Sequence, residues 1–167
     1  ISDGNEFTNS LSYNYYITLK EANNMVGKAN FLIKSANSLD GSDVRISKRV
    51  NVPYYRLRGF QKGKVGPIDN TDYIGGNYMS VLNLSTNLPD ILSNLEIVDF
   101  NYFMDFANVW GVDYNDTLDE SALRSSTGIG LNVLTPVGPL SFTLSQPITK
   151  KSTDKTETFR FSLGTTF

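Results

Sequence analysis

Residues 158–167 read Thr-Phe-Arg-Phe-Ser-Leu-Gly-Thr-Thr-Phe, so apolar and polar side chains alternate until the chain stops on an aromatic ring. Phe159, Phe161, Leu163 and Phe167 share one face of an extended strand, because successive strand residues point to opposite faces. Such a strand suits a wall with lipid on one side and a polar lumen on the other. A soluble protein rarely leaves an apolar edge strand free, since it invites aggregation. The ending therefore predicts a β-barrel of the outer-membrane type.

The composition agrees with a barrel and excludes several other classes of protein. The mean hydropathy is −0.24, and no stretch approaches the roughly 18 apolar residues of a membrane helix. A barrel does not need such a stretch, because every second residue faces the lumen. The 167 residues contain no cysteine and no histidine, which excludes thiolate or histidine metal sites and histidine-based catalysis. We predict no enzyme activity, cofactor or metal, and the net charge of −2 gives no reason to expect a nucleic-acid partner.

The fold class that we predict is all-β, an antiparallel transmembrane barrel of which this chain supplies seven or so strands. The candidate strands cover about residues 7–19, 25–39, 73–87, 95–108, 124–135, 140–148 and 158–167. Short connections at 20–24, 88–94 and 136–139 alternate with long ones at 40–72, 109–123 and 149–156. Short turns on the periplasmic side and long loops outside are typical of outer-membrane barrels.

The alternation also assigns faces to the strands. In the third strand we predict that Met79, Val81, Asn83 and Ser85 point inward, and in the fourth that Asp99, Asn101, Phe103 and Asp105 do. Gly75-Gly76, near the start of the third strand, predicts a bulge or a close approach of two backbones. Seven strands are too few and too odd for a closed bacterial barrel. We expect further strands upstream of Ile1, and we expect that residues 1–167 do not close into a barrel alone.

Several short motifs follow one another along the chain. The longest connection contains Leu57-Arg58-Gly59-Phe60, which by itself would be read as a surface turn. The others are Gly75-Gly76-Asn77, Phe106-Ala107-Asn108-Val109-Trp110, Gly128-Ile129-Gly130-Leu131, Thr135-Pro136-Val137-Gly138-Pro139-Leu140 and the terminal strand. In this order and spacing they resemble the C-terminal barrel half of the BamA-like outer-membrane assembly proteins, a superfamily that includes TamA and the two-partner secretion transporters. The resemblance is close over about residues 54–167 and only topological over 1–53.

The resemblance implies a 16-stranded barrel in the outer membrane of a Gram-negative bacterium, with periplasmic domains upstream. It implies a protein that folds and inserts β-barrel proteins, with the lipid bilayer, unfolded barrel clients and accessory assembly lipoproteins as partners. A TamA-like module and a two-partner secretion pore are alternatives within the superfamily. A passive porin, or the barrel of an outer-membrane enzyme, is the alternative from another class.

The resemblance also implies a site. In the family the Arg-Gly-Phe loop, here within about residues 40–72, folds into the lumen, where its arginine pairs with acidic side chains on the wall. Arg58 matches that arginine and Asp105 matches one acid, whereas the second acid falls on Ser85, which carries no charge. Asp99 shares the inward face. A guanidinium can offer two donors to one carboxylate, and the alternative is an Arg58 that stays hydrated within the loop.

The terminal strand carries a second implied role. In the family, and in barrel proteins generally, a final strand that ends on an aromatic residue is the signal that the assembly machinery recognises. The residues concerned here are Phe159, Phe161, Leu163, Gly164 and Phe167. The alternative is a strand that only closes the barrel, and the two roles are compatible.

Overall fold

A computed structural model describes residues 5–21, 24–89, 97–119, 121–136 and 138–164. Within these residues, seven strands form one antiparallel sheet, in which each strand lies beside the next of the seven along the chain. The bounds are β1 Glu6–Lys20, β2 Met25–Ser38, β5 Tyr78–Asn87, β6 Val98–Trp110, β7 Arg124–Thr135, β8 Gly138–Thr149 and β9 Phe159–Leu163. A small separate hairpin pairs β3 (Ile68–Asp69) with β4 (Asp72–Tyr73). The all-β fold class is confirmed, and the sheet is open, since β1 and β9 lie at its two edges.

The two faces of the sheet differ as the alternation predicts. On the inner face Met79, Val81 and Phe103 are at most 1% exposed. Their neighbours Tyr78, Leu84 and Tyr102 point the other way and are 38–40% exposed. A continuous apolar outer face is the arrangement that a wall in contact with lipid requires. Among the described residues, no helix is both long and apolar enough to cross a membrane.

The inner face is covered by the connection between β2 and β5. Val44, Val50, Leu57, Phe60 and Val65 of this connection pack against the strands. Their buried partners on the sheet are Leu32, Ala36, Met79, Val81 and Ala107. The connection contains two single-turn 3-10 helices, Ile46–Lys48 and Tyr54–Arg56, and the β3–β4 hairpin. The apolar core therefore lies between the sheet and this connection.

The predicted start of the third strand is wrong. The strand begins at Tyr78 instead of residue 73, because Tyr73 pairs with Ile68 in the small hairpin. Gly76 forms an isolated bridge with Val50. A Cβ atom on Gly76 would lie 2.3 Å from the carbonyl oxygen of Trp110. The close backbone approach predicted for Gly75-Gly76 is thus confirmed, but it precedes the strand.

Other strand boundaries shift by a few residues. The fourth predicted strand begins at Val98 and continues to Trp110, and the sixth covers Gly138–Thr149. Within the described part of the terminal segment, the strand covers Phe159–Leu163. Phe167, and the predicted first residues of the fourth strand, lie outside the described residues.

Candidate functional site

The Arg-Gly-Phe motif forms a tight turn against the inner wall. Leu57 and Phe60 are 2% and 1% exposed and hold the turn in the core on both sides. Gly59 has a φ of 88°, which favours glycine because a side chain there is strained. A Cβ on Gly59 would also meet the Cβ of Ser126 at 3.3 Å. The turn therefore lies flat on the wall, and Arg58 is directed along it.

Arg58 forms a bidentate ion pair with Asp105 of β6. Its Nε donates to one carboxylate oxygen and its Nη2 to the other, both at 2.7 Å. The backbone N–H of Arg58 donates to the same carboxylate at 3.0 Å. The side chain of Asp105 is fully buried and that of Arg58 is 19% exposed. A paired fork of this kind is the strong form of an arginine–carboxylate contact.

Asn83 completes the surroundings of Asp105, and the sequence assigned it only an inward direction. It lies directly across from Asp105 in the β5–β6 pairing. Its Nδ2 donates to Asp105 at 2.8 Å and to the carbonyl of Arg56 at 2.7 Å. The buried carboxylate therefore receives four N–H donors. The sequence offered one signal for Asn83, because it lies two residues before the predicted partner Ser85 and shares its inward face.

Phe103 provides the surface beneath Arg58. The guanidinium carbon lies 3.4 Å from the centre of the Phe103 ring, a geometry in which the ring face attracts a cation. Phe103 is fully buried and lies two residues before Asp105 on the same face of β6. One strand thus supplies both the anion and the aromatic ring that hold the arginine.

Ser85 and Asp99, the other predicted partners, form no hydrogen bond or ion pair with the Arg58 side chain within the described residues. Each hydrogen bond that the Arg58 side chain makes within the described part of the chain goes to Asp105. Ser85 and Asp99 instead line a cleft of about 260 Å³ that Arg58 also borders, together with Lys28 and Asn101. Asp99 accepts a hydrogen bond from Asn132 at 3.4 Å. The site thus has one carboxylate and an amide where the family pattern has two carboxylates.

Two further ion pairs, which the sequence did not indicate, hold the long loops. Arg124 at the start of β7 pairs with Asp154 of the β8–β9 loop through Nε and Nη2, at 3.0 and 3.2 Å. Both side chains are fully buried. Arg49 of the β2–β5 connection pairs with Asp113, which follows β6. Neither pair could be read from the sequence, because the partners lie 30 and 64 residues apart.

The pKa of the Asp113 carboxyl group is shifted by its surroundings. Burial acts to raise its pKa, but hydrogen bonds from the Val44 amide, Asn77 and Arg49 together act the other way. The net effect is that the pKa of Asp113 is lowered from its ordinary value. Asp113 is therefore held in its charged form, as its ion pair with Arg49 requires.

The residues of the predicted terminal signal point outward where they are described. Phe159, Phe161 and Leu163 are 52–57% exposed on the outer face. Gly164, which follows Leu163, has a φ of 82°. Between them Arg160 points inward, and its Nη1 and Nη2 donate to the carbonyls of Tyr54 and Phe60. Within the described residues no group of three or more metal-ligating side chains occurs.

The chain matches a known protein domain along nearly its whole length. The Omp85 superfamily domain matches the chain over residues 2–167. The chain belongs to the Omp85 superfamily. The predicted fold class, an antiparallel transmembrane barrel, and the predicted location in a Gram-negative outer membrane are confirmed by this membership. The total of 16 strands stays a prediction.

Relatives of this Omp85 chain carry informative names. The outer membrane protein assembly factor BamA of Neisseria meningitidis serogroup B is 27% identical, with 66% of this chain and 17% of that protein covered. The protein of the same name from Neorickettsia risticii is 28% identical, with 66% and 16% covered. A crystal structure of BamA from Haemophilus ducreyi lacking POTRA domains 1–3 superposes with a TM-score of 0.84 at 27% identity. That superposition covers 95% of this chain and 35% of the other.

Proposed function

We propose that the protein to which this Omp85 chain belongs folds β-barrel proteins and inserts them into the outer membrane. The chain spans less than a fifth of the two assembly factors named above, so the activity is assigned to the whole protein. The observation that carries the proposal is the Arg58–Asp105 pair in a chain similar to those factors. Unfolded barrel proteins are the proposed clients, and accessory lipoproteins are proposed partners.

The physical role of the inner turn follows from its contacts. The turn is held to β6 by Arg58, packs through Leu57 and Phe60 into the core, and covers the inner face of the sheet. A barrel that loosens one edge to receive a client strand needs its remaining wall to keep its shape. We infer that the lumenal turn provides this bracing, while exposed strand edges offer a template for the client by strand addition. No covalent chemistry is required.

The test is a folding assay with the full-length protein in liposomes. An unfolded client barrel is added, and the fraction folded is followed by its heat-modifiable gel mobility. The parent is compared with Arg58→Ala and with Lys48→Ala, which removes an exposed lysine from the same connection. We expect the parent and Lys48→Ala to accelerate folding, and Arg58→Ala to do so less at equal barrel content.

Failure would take a definite form. If the parent leaves client folding unchanged, the assembly proposal is wrong. Passage of one dedicated exported protein through the same liposomes would then support a secretion transporter. Ion conductance that depends only on the charges lining the lumen would support a porin.

A further inference from the structure

The terminal strand β9 pairs along its described length with β8, but it covers only part of that longer strand. β8 pairs with β7 over nearly its whole length, but with β9 only from Leu140↔Leu163 to Leu144↔Phe159. Beyond this register, the Ser145 amide donates to the carbonyl of Thr158 and the Gly164 amide donates to the carbonyl of Pro139. Within the described chain, residues 145–149 of β8 therefore have no β9 residue opposite them.

The residues just before β9 pair with the inner connection instead of the wall. Phe60 and Thr156 form an isolated antiparallel bridge. On either side, the Gln61 amide donates to Lys155 at 2.9 Å and the Glu157 amide donates to Gly59 at 3.0 Å. The connection and the terminal segment thus share a short piece of ladder that passes directly through the Arg-Gly-Phe motif.

Arg160 reinforces this junction from the inner side of β9. Its Nη1 donates to the carbonyl of Tyr54 at 2.6 Å and its Nη2 to the carbonyl of Phe60 at 2.8 Å. Its Nε contacts the carboxylate of Glu157. The side chain is 13% exposed, so little water competes for these three acceptors. Only a guanidinium offers enough donors in a fixed plane to reach all three.

The two backbone acceptors of Arg160 lie on either side of Arg58 in the sequence. Arg58 fixes the middle of segment 54–60 to β6, and Arg160 fixes its two ends to β9. The segment is therefore attached to two strands that are separated by β7 and β8. Displacement of the start of β9 would break the contacts at both ends of the segment.

We propose that Arg160 is a positioning residue that couples the terminal strand to the Arg-Gly-Phe segment, so that the two are held or released together. This inference rests on the proposed assembly function, because it concerns how the segment that braces the wall responds to the terminal strand. It assigns to an inward side chain of β9 a role separate from that of the outward aromatic residues.

The test uses trypsin on the full-length protein in liposomes. Arg56, Arg58, Lys62 and Lys64 are potential cleavage sites on the connection, and cleavage there requires the segment to open locally. The variants are Arg160→Gln, which keeps an amide donor, Arg160→Lys, which keeps the charge, and Lys150→Gln as an exposed control. Folded barrel content is measured by heat-modifiable mobility, and client folding is measured in parallel.

We expect Arg160→Gln to increase the rate of cleavage about tenfold or more, because it removes hydrogen bonds from a charged donor. Arg160→Lys should fall between Arg160→Gln and the parent, since an ammonium cannot reach all three acceptors. Lys150→Gln should behave like the parent. Unchanged cleavage in Arg160→Gln, in an assay where Arg58→Ala does increase it, would overturn the proposal.

A covalent link tests whether Arg160 acts through the junction. Gln61→Cys with Lys155→Cys, added to Arg160→Gln, places thiols on neighbouring positions across the short ladder. Facing Cα atoms there lie about 5.5 Å apart, within the range of a disulfide. The chain itself has no cysteine to compete. Oxidation should restore both protease resistance and client folding, and reduction should reverse this.

The outcomes separate this inference from the proposed function. If Arg160→Gln lowers barrel content, the oxidised link decides: recovery supports coupling, and no recovery shows that Arg160 only stabilises β9. If the parent does not accelerate client folding, the assembly function is wrong. The cleavage measurement still decides whether Arg160 couples the two segments.

Discussion

Arg58 contacts Asp105 through its main chain as well as through its guanidinium. The amide and the side chain of one residue together supply three donors to a single buried carboxylate. Asn83 adds the fourth from the neighbouring strand. The backbone contact holds the turn on β6, and the side-chain contacts pair the two charges. Substitution of Arg58 removes only the side-chain contacts, whereas substitution of Asp105 changes both kinds of contact.

Substitution of Arg58 should cost more than substitution of both partners. Arg58→Ala leaves the fully buried Asp105 charge without its cation, and breaking one side of a buried pair costs about 3–5 kcal/mol. Arg58→Ala with Asp105→Asn leaves a neutral amide and should recover part of that loss. Urea titration of the full-length barrel, followed by heat-modifiable mobility, measures the difference. Equal midpoints for the single and double variants would show that Asp105 is compensated by water.

The Arg124–Asp154 pair should hold the β8–β9 loop on the wall. Both side chains are fully buried, so Asp154→Asn should destabilise the barrel by about 3–5 kcal/mol. Asp43→Asn, at an exposed position, is the matched control and should change the midpoint little. Urea titration again measures the effect. A midpoint for Asp154→Asn that matches the control would argue against a stabilising role for the pair.

Gly128 should not tolerate a methyl group. A Cβ there would lie 2.1 Å from the carbonyl oxygen of Leu144 and 2.7 Å from Phe103, the ring beneath Arg58. Gly128→Ala should therefore cost about 1–3 kcal/mol through overpacking and displace the ring. Gly27→Ala is the control, because the three atoms nearest to its Cβ would be side-chain atoms of Ile17 and Leu19 at 3.1–3.3 Å. Trypsin cleavage of the Arg58 turn should rise in the first variant and stay unchanged in the second.

Acid should release the contact between Asp113 and the β2–β5 connection. The pKa of Asp113 is lowered in the folded protein, so its contribution to stability is complete above the ordinary pKa of 3.8 and is lost as the pH falls through the lower folded value. Hydrogen exchange of residues 42–50, corrected for the intrinsic rate, should rise across that window. Asp113→Asn should remove the pH dependence, and a dependence that survives in this variant would assign it to another group.

The predictions from the sequence succeeded where a strict local period was available. The inward positions of β5 and β6, including Met79 and Phe103, follow from alternation alone because one slip in register would reverse both faces. The predicted start of the third strand was wrong because tyrosine is common in strands, so Tyr73 was assigned to the long one. Its partner in the small hairpin cannot be inferred from the local sequence pattern. Asn83 was assigned a face but no partner.

The sequence by itself determined the kind of wall this chain builds. Apolar and polar residues alternate with period two, and that alternation selects a sheet with one face in lipid and one facing inward. Only the tertiary structure decided what the inward residues contact. Arg58 and Asp105 are 47 residues apart, and Tyr54 and Arg160 are 106 apart. Such pairs form because the β2–β5 connection packs onto the sheet, and that packing depends on the shape of the whole inner face.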